Sequence, residues 1–343
     1  MRIGRLVRLV LLPCLAACGS GVHAVVEPLA DAKTTGVVFA LTDPGVSVAS
    51  LTTLAANSQV DGLVIRTSWD TLQPTEATFA WSSIDQAFSV AQSYNKQITL
   101  HVLTSAYGKT PSWVYAAGAQ SYSYTMGGIS HTDPIPWDTV YLSKFSAFLT
   151  ALHDHLAGAG YLGLLKYTSD GVPVPEMSLV SCTNNQLTST VAYSRTNYLS
   201  AWKMTLNAYF VAFPQVQILV SAPVGVICMP DNDGLTFYTE VMSAAATISK
   251  TAFAVYATDL TATGSDRMTQ VSAATRQGKS IGFQTIWSST NDPSSRLKGS
   301  LQNAVCQGLA AGGTYFELYQ VDILNTGDAS IQNAIQTVHS GKC

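Results

Sequence analysis

Residues 63–81 read LVIRTSWDTLQPTEATFAW. The apolar run Leu63-Val64-Ile65 gives way to Arg66 and Trp69, and Leu72, Pro74, Phe79 and Trp81 follow. A short apolar, β-branched run closed by polar residues is the pattern of a buried strand. Its C-terminal end would bring a cation and an indole to one mouth. The turn at Pro74 would then lead to an aromatic anchor at Phe79 and Trp81.

Runs of the same kind recur along the chain. They are Gly36–Leu41, Gly62–Thr67, Gln97–Leu103, Leu162–Thr168, Val216–Ala222, Phe253–Thr258, Ser280–Thr285 and Thr314–Leu318. Amphipathic stretches lie between them, such as Thr139–Leu156 and Tyr198–Phe213, the latter stopped by Pro214. Strands alternating with helices predict a parallel sheet covered by helices. Eight of them close naturally into a single (β/α)8 barrel over residues 36–343, and a doubly wound open sheet is the alternative. Strand four has two readings, Leu162–Thr168 and Met177–Cys182. The first is preferred, because it leaves Pro173 and Pro175 in a polar loop and explains the apolar segment before them. After strand three comes an insertion, Ser105 to Trp137, holding Tyr107, Trp113, Tyr115, Tyr122, Tyr124 and Trp137. Such loops gather at the C-terminal face of a barrel, where its active sites lie. At least half of these rings are expected only to pack the loop down.

The chain has 343 residues, of which 47% are hydrophobic, enough for one large core. Charged residues make up 11%, against roughly 25% in average soluble proteins. A net charge of −3 without a basic stripe argues against nucleic acid as a partner. Arg2, Arg5 and Arg8 precede the apolar run Leu9–Ala17, too short to span a bilayer and typical of an export signal. Leu15-Ala16-Ala17-Cys18 resembles the lipobox of bacterial lipoproteins. That resemblance implies cleavage after residue 17, a lipid on Cys18, a tether over 18–35, and anchoring in the cell envelope at the outer membrane. An ordinary secretory signal is the alternative. Four further cysteines remain, Cys182, Cys228, Cys306 and Cys343, an even number suited to an oxidising compartment. They allow three pairings; position favours Cys182–Cys228 and Cys306–Cys343.

Few residues can carry acid–base chemistry. Of the glutamates, Glu27 falls in the tether, Glu76 in the turn after strand two, and Glu240 in a predicted helix, leaving Glu176 and Glu317. Glu317 stands inside the apolar run Tyr315-Phe316-Glu317-Leu318-Tyr319, where a carboxylate is costly unless it is paired or used. A structural ion pair with Arg66 would account for it, and so would a catalytic role. His101 closes strand three and could bind a hydroxyl or serve the structure alone. Two motif matches are coincidental. Gly158-x-Gly160-x-x-Gly163 follows a helix instead of joining a strand to one, and the serine of Gly278-x-Ser280-x-Gly282 opens a strand instead of closing it. No metal site and no cofactor is implied.

The pattern Arg66-x-x-Trp69…Pro74…Phe79-x-Trp81 resembles the second strand and its loop in (β/α)8-barrel glycoside hydrolases of the β-galactosidase and cellulase type. The resemblance implies a saccharide as substrate or ligand, bound by a monomer that meets membrane through its lipid alone. It also implies two carboxyl groups flanking the scissile bond. In that family an Asn-Glu pair after strand four supplies the acid/base, and a glutamate ending strand seven is the nucleophile. This chain has no Asn-Glu dipeptide, and Gln284 stands in the strand-seven position. A hydrolase would then use Glu176 as acid/base and Glu317 as nucleophile or water-activating base, with Arg66 holding Glu317 ionised. Trp69, Trp113 and Trp287 would be sugar platforms, and His101, Tyr256, Gln284 and Tyr319 would line the cleft. The competing expectation is a glycan-binding barrel that has lost its nucleophile.

Overall fold

The computed structural model describes residues 35–104, 108–126, 128–169, 182–183, 186–191, 193–221, 234–248, 253–265, 268 and 279–343. Eight parallel strands close a barrel: β1 (Val37–Leu41), β2 (Gly62–Ser68), β3 (Gln97–Leu103), β6 (Leu165–Ser169), β8 (Gln217–Val220), β9 (Phe253–Leu260), β10 (Ser280–Thr285) and β11 (Tyr315–Tyr319). They neighbour one another in chain order, and β1 pairs with β11 from Val37↔Tyr315 to Leu41↔Tyr319 to complete the ring. All eight expected runs are barrel strands. The fourth is the Leu162–Thr168 reading, shifted to Leu165–Ser169. Of the competing segment Cys182 is among the described residues, and it lies in strand β7 (Cys182–Thr183), outside the barrel.

The helices form where the sequence can both cap and bury them. Asp138 caps Thr139–Gly158 by accepting the Tyr141 N–H at 2.8 Å, and Tyr141, Leu142, Phe145, Phe148, Leu149, Leu152 and Leu156 form its buried stripe. Spacings of three and four residues keep those side chains on one face. Phe79 and Trp81 pack as the expected anchor: Trp81 stacks on Phe148 and on His155, with centroids 6.2 and 4.9 Å apart. At the other end of the chain, Cys306 and Cys343 form the expected disulfide, with Cα atoms 5.7 Å apart. The pairing expected for Cys182 and Cys228, and the lipidation and tether expected at 18–35, lie outside the described residues.

The insertion after β3 carries β4 (Ser121–Met126) and β5 (Ile129–Pro134), an antiparallel hairpin that pairs with β7 in a small separate sheet. Tyr122, Tyr124, Ile135 and Leu187 form its own apolar cluster, with Trp137 and Tyr193 packed against it. Most described rings of the insertion are thus structural, as expected.

Side chains alternate in and out along each strand. Val38, Leu63, Ile65, Leu100 and Phe316 face the helices, while Phe39, Val64, Tyr167, Tyr256 and Tyr315 fill the barrel. The lower interior is a knot of rings: Tyr315 lies 4.5 Å from Tyr167 and 5.0 Å from Phe39, centroid to centroid. Two glycines make room for it. A Cβ on Gly62 would come within 2.2 Å of the Phe39 ring, and one on Gly282 within 2.7 Å of the Tyr315 ring. Gly282→Ala should therefore cost about 1–3 kcal/mol through overpacking of a filled interior. Urea denaturation checks this; an unchanged midpoint would mean the knot can slide aside.

Candidate functional site

Above the aromatic knot, toward the C-terminal ends of the strands, the interior turns polar. Glu317 is the centre. Its side chain is fully buried (0% exposed), and both oxygens have hydrogen-bond partners. Tyr315 donates its hydroxyl to Oε1 at 2.6 Å, Tyr256 donates to Oε2 at 2.6 Å, and His101 Nε2 lies 3.1 Å from Oε1. Thr99 Oγ1 extends the net, 2.8 Å from the Tyr315 hydroxyl. Burial, and then the charge of Glu317, push the Tyr315 phenol well above its ordinary value, so it stays a donor. The Tyr256 hydroxyl is also 3.2 Å from Gln284 Oε1. Register places Gln284 directly beside Glu317 on the neighbouring strand.

Arg66 is not the partner of Glu317. It is half-buried, and among the described residues it makes no ion pair with that carboxylate. The reason is the stagger of the barrel. Glu317 pairs with Phe39, and Phe39 with Gly62. Strands tilted by about 36° climb roughly one residue per strand around an eight-stranded barrel. Two strands from Glu317, the level side chain is therefore Val64, and Arg66 stands one layer nearer the mouth. His101 reaches Glu317 across the lumen instead.

Two of the expected sugar platforms belong to the core. Trp69 is fully buried, bonded through Nε1 to Gln73 Oε1 at 2.9 Å and packed against Phe145 and Phe148. Trp113 meets Trp69 edge-on and donates Nε1–H to the Gln73 carbonyl at 3.0 Å, so it anchors the insertion. An indole so close in sequence to a strand end points outward when a helical turn begins there, and Trp69 opens the turn Trp69–Leu72. Trp287 remains partly exposed, but Arg296 lies over its ring at 4.5 Å and Tyr319 packs 6.0 Å away. Glu176 lies outside the described residues.

Four side chains have structural roles that the sequence did not assign to them. Tyr315 and Thr99 sit two residues before Glu317 and His101, and inward alternation alone would have found them. Asp322 stands close behind Glu317 in the chain but is separate from it. It is fully buried and accepts the N–H groups of Ser289 and Thr290 at 2.9 and 2.7 Å, fastening the loop after β10. Asp133 had no sequence signal. It is 1% exposed within the insertion, accepting from the Tyr124 hydroxyl at 2.8 Å and the Gly108 N–H at 3.3 Å. Burial pushes its pKa up to about 6.

No protein-family model matches this chain, and no curated protein matches it. Solved structures do. The catalytic domain of β-amylase from Paenibacillus polymyxa aligns over 90% of this chain and 99% of that one, with a TM-score of 0.62 at 11% identity. The intracellular xylanase from Thermoanaerobacterium saccharolyticum aligns over 83% and 85%, with a TM-score of 0.51 at 11% identity. A family 39 glycoside hydrolase from Bacteroides cellulosilyticus aligns over 90% of this chain and 60% of that one, also at 0.51 and 11%. The chain thus has a (β/α)8 barrel of the kind found in glycoside hydrolases. At such identities the likeness is one of fold.

Two outcomes follow from the buried carboxyl groups. Glu317→Leu strands three donors in the barrel and should lower stability by about 3 kcal/mol or more, whereas Glu317→Gln, which keeps an acceptor oxygen, should cost about half that. Unfolding midpoints equal to wild type in both would contradict the network. Asp133 has a folded pKa above its unfolded value, so the folded state binds the extra proton between about pH 4 and 6. Its contribution is therefore full below that window and is lost as pH rises through it, by on the order of 3 kcal/mol. Asp133→Asn should remove this component, so melting temperatures of wild type and variant should converge at pH 4 and separate by pH 7, the variant melting higher.

Proposed function

We propose that this chain binds a saccharide at the C-terminal mouth of its barrel and uses the hydrolase fold for recognition. The observation that carries the proposal is the state of Glu317. Its two oxygens accept from three donors, it has no exposed surface, and the strand-seven seat beside it holds the amide of Gln284. A neutral amide can hydrogen-bond a hydroxyl but cannot attack an anomeric carbon as a carboxylate does. On this reading Glu317 is a positioning residue. It fixes Tyr256 and His101, and Tyr256 in turn lies against Gln284, so polar groups are presented to sugar hydroxyls from a rigid floor. The fold supports the reading, because barrel sites gather at this face. The export signal and Cys18 favour a lipid-anchored protein of the cell envelope, where glycans are at hand.

A hydrolytic reading is favoured by one observation. Register places a carboxylate immediately beside the usual strand-seven position, and the surrounding tyrosines and histidine hold it in one orientation. Glu317 would then be nucleophile or base, and Glu176 the acid.

A panel of plant, fungal and bacterial polysaccharides, scored for both bound and released sugar on protein beginning after Cys18, separates the two. Binding without release is expected, with affinity weakened about tenfold by Gln284→Ala through loss of a hydrogen-bonding side chain at the mouth. Release that vanishes in both Glu176→Gln and Glu317→Gln would establish the hydrolase. Neither binding nor release would overturn both.

A further inference from the structure

A second polar feature lies beside the mouth, between the loops that follow β9 and β10. It is a cleft of about 300 Å³, lined by Asp259, Thr261, Ser265, Ile286, Arg296 and Lys298 among others. Asp259 is the penultimate residue of β9 and Ile286 directly follows β10, so the cleft lies at the C-terminal ends of these two strands, two residues beyond Gln284 in the chain.

The loop that bears the two cations is held hard. Asp292 accepts the N–H groups of Arg296 and Leu297, each at 2.7 Å, and Leu297 is buried. The Leu297 carbonyl accepts the Ala262 N–H at 2.8 Å, joining the loop to its neighbour. A Cβ on Gly299, whose φ is +148°, would come within 2.7 Å of the Ala262 Cβ, so the two loops also touch closely. Within this loop Ser295 (φ 50°) and Lys298 (φ 56°) both adopt the left-handed conformation that L-residues rarely take. Backbone conformations of this kind persist where the surroundings over-determine them, and they gather at ligand clamps.

Among the described residues neither Arg296 nor Lys298 forms an ion pair. The Arg296 guanidinium carbon lies 4.5 Å from the centre of the Trp287 ring, and Trp287 is oriented by its Nε1–H bond to the Asn291 carbonyl. A cation–π contact does not use up the N–H donors of a guanidinium, which can still bind a carboxylate through two parallel hydrogen bonds. Asp259, whose Oδ1 accepts the Ser265 hydroxyl at 2.5 Å, adds one negative charge to the two positive ones. Among the described residues of the lining two cations stand against one carboxylate, which suits an anion flanked by hydroxyls.

We infer that this cleft is a subsite for an acidic sugar unit, a uronate whose carboxylate is gripped by Arg296 with Lys298 beside it. The hydroxyls of the unit meet Asp259, Thr261 and Ser265, and a longer chain continues over Gln284. The inference deepens the saccharide reading and rests on it.

Titration calorimetry of the protein starting after Cys18 tests it. Oligogalacturonate, oligoalginate and aldouronate oligosaccharides would each be compared with the carboxyl-reduced counterpart of the same linkage. At low salt at least one acidic form is expected to bind roughly tenfold tighter than its reduced form, the worth of one charge-assisted pair. That preference should vanish in Arg296→Gln and shrink in Lys298→Asn, a residue that keeps the left-handed backbone. Neutral binding should persist in both variants, which also shows that they are folded. Equal binding of acidic and reduced forms, or a preference that survives Arg296→Gln, overturns the acidic subsite and leaves the saccharide reading standing. No binding of either form overturns the acidic subsite, and the polysaccharide panel above then decides the saccharide reading.

Discussion

A carboxylate sealed inside a parallel barrel constrains the rest of this structure. Glu317 has no solvent to hydrate it, so the protein must supply donors from other strands, and it does so from β3, β9 and β11. An unpaired charge in that position would cost several kcal/mol. The donors are long side chains, and they need a floor to stand on. That floor is the knot of Phe39, Tyr167 and Tyr315, which Gly62 and Gly282 make possible by presenting no side chain to it. The polar centre and the aromatic packing below it are thus parts of one arrangement, with the Tyr315 ring in the knot and its hydroxyl on Glu317.

The same arrangement bears on chemistry. A group that is to attack or protonate a substrate must present an atom to it, and both oxygens of Glu317 already have partners. What faces the mouth from the neighbouring strand is Gln284, half-buried and within reach of Tyr256. The barrel therefore holds the amide of Gln284 and the cation of Arg66 toward its mouth and keeps the carboxylate of Glu317 beneath. The clefts and loops around that mouth are rigid in a similar way. Asp322 fastens the loop after β10, Asp292 shapes the segment beyond it, and Asp133 closes the insertion hairpin. Three buried or half-buried aspartates serve as loop clamps, a use of carboxylates that needs no catalysis.

The architecture was legible in the sequence because its signal is hydrophobic. Eight apolar runs at regular spacing, separated by amphipathic stretches, leave little choice for a parallel sheet, and each run became a barrel strand. The end-pinning disulfide was legible from position. The site was legible in part. Glu317 and His101 stood out as polar residues in apolar strands, and they do meet. The partner of Glu317 was misassigned because closeness in strand order is not closeness in height: stagger brings Val64 level with Glu317 and lifts Arg66 toward the mouth. Trp69 and Trp113 were misread because an indole near a strand end can turn outward as easily as toward the cleft, and a helical turn at Trp69 decides it. Asp133 could not have been found, since its burial depends on a hairpin folding over Tyr124 and on Gly108 reaching back to it.

The central claim is that Glu317 supports the site without touching the reacting centre of a sugar. The most direct measurement is a crystal structure with an oligosaccharide bound at the mouth, read for the distance between Glu317 and the nearest anomeric carbon. Gln284 and Tyr256 should stand between the sugar and the carboxylate, leaving more than about 5 Å. An anomeric carbon within about 3–3.5 Å of a Glu317 oxygen is an attacking geometry and would contradict the account.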